Sequence, residues 1–239
     1  MSKVFKLSYI ELKKYLFSYI ALFLLGFTII SIYFLPPFNI VVDKTKVTML
    51  YLLPFIMTVI YSHILSKEFE NKTFKVLFTG TLTRIQVVLY KMFTIIEITI
   101  LFAVLYQALI HLSMLLSNQP LSLNILLKDI MNSIFSFLVY ATIVGSFAFF
   151  VTSVSCKFTT TFIVTYICFN DFIENFLSIV VDKTKNEIIR SIAENIPFTV
   201  TANGFYSQSY TAMQVIILLA ISAVLLTAAC LIIEKRDFR

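Results

Sequence analysis

The chain has 239 residues, of which 59% are hydrophobic and 13% charged, and its mean hydropathy is +0.91. Water-soluble domains carry about 25% charged residues, so a soluble fold is excluded; four glycines and continuous apolar runs, without strict alternation, argue against a membrane β-barrel. The net charge of +6 sits largely between the apolar runs, where it reads as membrane topology and not as a nucleic-acid surface.

The predicted class is an all-α integral membrane protein forming a single domain over residues 1–239. Residues 1–14 place Phe5, Tyr9 and Leu12, followed by Leu16, on one helical face and Lys6 and Lys13 on another. That pattern predicts an interfacial helix with its lysines toward anionic lipid; a charged topogenic start is the plainer alternative. A first span is expected over 15–35, ended by Pro36-Pro37. Its rise of about 31 Å covers the hydrocarbon core, and no cleavage site of a signal peptide follows it. Further spans are expected over 47–65 (kinked at Pro54), 92–116, 130–154, 158–180 and 215–233. Residues 181–214 form an expected extracellular segment. Within it, Ile188, Ile189, Ile192 and Ile196 predict a short amphipathic helix before Pro197.

Six spans with the N-terminus inside place thirteen of the nineteen basic residues on the cytoplasmic side. Both termini are therefore expected in the cytoplasm and the protein in the plasma membrane. Cys156, Cys168 and Cys230 are far apart and predict reduced apolar fillers. His63 and His111 lack metal-site spacing and are expected as interfacial polar residues.

The segment 66–91 is the longest polar interruption in the first two thirds of the chain. Phe69, Thr73, Val76 and Leu77 make one helical stripe, and Glu68, Asn71 and Lys75 the opposite one, with Glu68 and Lys72 as a favourable pair. A helix over 66–80 stopping at Gly80 is expected. Thr83-Arg84-Ile85-Gln86 then reads as a capping box that starts the next helix. A short amphipathic helix joined through a turn to a membrane helix can act as a lever, or lie passively on the headgroups.

The run Glu68, Glu70, Thr73, Lys75, Leu77, then Arg84 and Lys91, resembles the permease subunits of ABC-2 type transporters. "EKRDFR" (Glu234–Arg239) resembles that family's C-terminal ending, and "NIPFTVTANGFY" (Asn195–Tyr206) its proline-containing stretch before the last span. The resemblance implies that 66–80 is a coupling helix docking into a separate ATPase subunit through Glu68, Phe69, Glu70, Thr73, Phe74, Lys75, Leu77 and Arg84. It also implies a second permease copy or a paralogue, and export of amphipathic peptides or other membrane-partitioning compounds. The chain has no G-x-x-x-x-G-K-[ST] phosphate cradle. ATP and magnesium are therefore expected on the partner, with no catalytic, cofactor or metal site in this chain.

Three acids fall within expected spans. A carboxylate at mid-membrane costs on the order of 2.5–3.5 kcal/mol. Glu97 is expected to face a partner or a wet cavity, to be protonated, or to reach back to the interface. Asp171 and Glu174 lie on one face; they mark either a broken or re-entrant end of the fifth helix that lines a polar pathway, or a span that stops near Asn170. Two other classes compete with the transporter. An intramembrane enzyme would need convergent catalytic groups, yet no GxSG or HExxH occurs. A structural or assembly membrane protein would need no ATPase.

Overall fold

Within hydrocarbon, backbone N–H and C=O groups must be satisfied inside their own segment, so long apolar runs fold as helices. A computed structural model describes residues 4–14, 16, 19–20, 42–70, 83–116, 123–170, 172–173, 176, 179, 190–191, 193 and 195–235. Its elements are α1 (residues 4–14), α2 (Val42–Glu70), α3 (Arg84–Leu116), α4 (Leu123–Ser155), α5 (Phe158–Phe169), α6 (Pro197–Tyr206) and α7 (Ala212–Lys235). No strand occurs among the described residues.

Among these residues, four helices are long and apolar enough to cross a membrane: Met49–Glu70, Ile85–Leu115, Leu126–Ser155 and Ala212–Lys235. They contain or overlap the expected second, third, fourth and sixth spans. The expected first span, 15–35, lies almost wholly outside the described residues, as does the expected helix over 66–80 beyond Glu70. The expected fifth span begins as the 12-residue α5, and residues 172–173, 176 and 179 beyond it are helical.

Two boundaries have clear local causes. Helix α2 continues past Leu65 to Glu70 because Ser66-Lys67-Glu68-Phe69-Glu70 contains no breaker. Ser66 Oγ donates back to Ser62 O (2.6 Å), and α2 passes Pro54 without interruption. Helix α3 starts at Arg84, earlier than Met92, because the capping box forms. Thr83 N–H donates to Gln86 Oε1 (3.0 Å) and Gln86 N–H to Thr83 Oγ1 (3.3 Å).

Helix α4 is the centre, packing on α2, α3, α5, α6 and α7. At Gly145 α4 faces Ile95 and Met92 of α3, with room for a Cβ at ordinary contact distance, 3.4 Å from Ile95 and 3.5 Å from Met92. Tyr61 of α2 donates to Thr99 of α3 (2.6 Å), whose own hydroxyl bonds Ile95 O. Near the far ends of α3 and α4, Gln107 Nε2 donates to Ser133 Oγ and to Asp129 O (3.3 Å). His111 Nδ1–H donates to Gln107 O (2.7 Å) within its own helix.

Helix α6 was the element least expected. Pro197 occupies its first turn, where a missing N–H costs nothing. Residues 197–206, assigned by sequence reasoning to an external segment, lie along α4 with Thr199, Thr201, Ala202, Gly204 and Phe205 buried. The Phe198 ring meets Phe147 (5.5 Å) and Phe169 (5.0 Å). Phe205 meets Phe137 (4.8 Å) and Tyr140 (4.4 Å). Contacts from Phe147 to Phe137 make α6 antiparallel to α4. Phe198, at the start of α6, thus lies beside Phe169, at the end of α5.

The turn out of α6 is tightly built. Ser209 N–H bonds Gly204 O (3.0 Å) and Gln208 N–H bonds Phe205 O (3.2 Å), with Gln208 in left-handed backbone at φ 52°. Gln208 Oε1 accepts from Ser133 Oγ (3.0 Å). Tyr210 covers Gly204 and donates to Thr201 O (2.8 Å); burial pushes its phenol well up, so it stays a donor. A second capping box, Thr211 with Gln214, opens α7.

Candidate functional site

The end of α2 and the starts of α3 and α5 meet at one end of the bundle, where α1 packs beside them. Val4 of α1 clusters with Val87 and Tyr90 of α3, and the Phe5 and Phe93 rings lie 4.5 Å apart. Lysines are frequent here: Lys6, Lys13, Lys14, Lys67, Lys91 and Lys157, with Lys235 closing α7. We call this the basic end.

At its centre is Lys91, the lysine of the family-like stretch. Its side chain is 3% exposed. The ammonium donates to Glu11 Oε1 of α1 and, at 3.3 Å, to Glu68 Oε1 of α2. It also lies 5.2 Å from the centre of the Tyr90 ring. Glu11 and Glu68 are 12% and 22% exposed, so the pairs are partly withdrawn from water. Partners are then obligatory: an unpaired buried charge costs several kcal/mol, on the order of 3–5 when one member is removed. The second Glu11 oxygen, Oε2, is buried and accepts no hydrogen bond from the described residues.

Glu70 serves a different neighbour. Its Oε1 accepts the Phe158 backbone N–H (2.7 Å), one of the open donors at the start of α5. A carboxylate is favoured at such a helix N-terminus. His63, one turn earlier on α2 than Lys67, sets its ring edge-on to Phe158 (6.4 Å). The α4–α5 turn is closed by Thr152, Thr161 and Ser155 hydroxyls and by Cys156 in left-handed backbone at φ 54°.

The expected coupling residues are therefore distributed as follows. Glu68 turns toward Lys91, the exposed Glu70 reaches the start of α5, and Phe69 packs against the apolar core. Arg84 opens α3. Thr73, Phe74, Lys75 and Leu77 lie outside the described residues. So do Asp171 and Glu174; Asn170 before them caps α5 through its N–H to Tyr166 O (3.0 Å). Glu97 lies within α3, six residues past Lys91, and its buried Oε2 accepts no hydrogen bond from the described residues.

Sequence reasoning missed Glu11. The signal was present: Glu11 is the one acid among residues 1–14, and it shares a helical face with Val4, Leu7 and Ser8, opposite Lys6 and Lys13. Among the described residues no group of His, Cys, Asp and Glu could hold a metal ion. No family model matches the sequence, and no curated protein does.

Proposed function

We propose that this chain is the permease subunit of an ATP-driven exporter, with the ATPase on a separate polypeptide and a second permease copy or a paralogue completing the pathway. In this reading six spans place both termini in the cytoplasm of a plasma-membrane protein, and the cargo is an amphipathic peptide or another membrane-partitioning compound. The resemblance of residues 68–91 to ABC-2 permeases motivates it. The observation that carries it is the ion pairing of Lys91 with Glu68 and Glu11.

Glu68 and Lys91 flank the segment 71–82 in sequence and are joined in space. Any displacement of that segment reaches α2 and α3 together. Through Glu11 it reaches α1, and through Glu70 it reaches α5. A lever needs such a shared root. With Glu68 and Glu70 committed to that root, docking falls to Phe74 and Leu77 as apolar anchors, with Lys75 at the rim.

Purification of the full chain from native membranes tests this. A Walker-motif ATPase should co-elute and hydrolyse ATP. Phe74→Ala should weaken co-elution or coupled turnover at least tenfold, the loss of one buried aromatic anchor at about 2 kcal/mol; Lys75→Ala should do much less. A chain that elutes alone and fully folded, or a Phe74→Ala variant with unchanged coupling, overturns the proposal.

A further inference from the structure

Helix α1 presents three different faces. At about 100° per residue, Val4, Ser8 and Glu11 point at α3, and the first two are buried. Phe5 and Tyr9 lie about a quarter turn to one side and are 46% and 61% exposed. The Phe5 ring touches Phe93, and Phe93 neighbours the outward, apolar line of α3 that includes exposed Leu89 and Ile100. The Phe5 side is therefore the lipid side. Lys6 and Lys13 project from the face opposite Glu11, both exposed. A helix at the rim of a bundle, with aromatics toward acyl chains and lysines at headgroup level, matches an anionic bilayer surface in charge and in depth.

We propose that α1 is a clamp on anionic phospholipid headgroups, held by Lys6 and Lys13, and that the Glu11–Lys91 pair ties this attachment to the first turns of α3. Headgroup charge then biases where α3 begins, whether or not the chain works with an ATPase. Glu11 alone on α1 reaches the buried ammonium of Lys91, so it is the positioning residue of this connection.

Amide hydrogen exchange on the full chain in nanodiscs tests the idea, comparing phosphatidylcholine alone with a mixture containing phosphatidylglycerol. Two lysines near an anionic surface should slow exchange in residues 4–14 by about tenfold or more, and high salt should remove the difference. Lys6→Gln with Lys13→Gln should abolish it, and Lys6→Arg with Lys13→Arg should keep it. Glu11→Gln should leave the lipid effect on α1 but erase its extension into residues 84–92. Equal protection in both lipids overturns the proposal, as does a lipid effect that survives the double glutamine variant. Soluble glycerol phosphate reproducing the protection in phosphatidylcholine would also overturn it, since the site would then be an anion site and not a bilayer contact.

Discussion

Lys91 is a cation removed from water between two acids that come from different helices. The free energy of such a group is dominated by what happens when its partners are lost. Lys91→Met should lower unfolding stability in detergent by about 3–5 kcal/mol, because two carboxylates remain at the basic end without their ammonium. Adding Glu11→Leu and Glu68→Leu should restore most of that loss, since an apolar replacement of a whole ion-pair group is often neutral. Chemical denaturation of the single and triple variants measures both. A harmless Lys91→Met would mean that the pairs are solvated. The lysine itself was legible in the sequence as part of a family-like stretch. Its first partner was not, because Glu11 lies 80 residues away and helical periodicity reports only neighbours within a few turns.

At the scale of elements, the long helices were legible because lipid demands long apolar runs, and the α3 start was legible because a capping box is a local device. Helix α6 was not. Its ten residues, PFTVTANGFY, are too short and too polar to register as a span, and burial of Thr199 and Thr201 depends on α4, α5 and α6 being assembled. Pro197 at the first turn was the available signal. The turn that follows gives a prediction. A Cβ at Gly204 would overlap the Tyr210 ring, which is fixed by its bond to Thr201 O. Gly204→Ala should cost about 1–3 kcal/mol, the usual range for overpacking, and Tyr210→Ala in the same chain should remove most of that increment. Thermal unfolding of the single and double variants reads the coupling; additive losses would show that the ring yields freely.

For the whole molecule, the contact of Phe169 with Phe198 sets the end of α5 beside the start of α6. Phe169→Cys with Phe198→Cys should therefore be joined readily by a short bismaleimide, whereas Phe169→Cys with Phe205→Cys should be joined far less, because Phe205 sits about two helical turns further along α6. Gel mobility after protease cleavage between the two sites distinguishes them, and equal cross-linking of both pairs would contradict the antiparallel course of α6. The Glu11–Lys91 pair has a different kind of consequence, one of timing. During synthesis Glu11 emerges 80 residues before the lysine that neutralises it. At about 5–20 residues per second, it waits roughly 4–16 s without its partner. The ion pair at the root of the bundle can close only after α3 has begun to emerge, so a nascent chain halted before residue 91 would carry its N-terminal helix undocked.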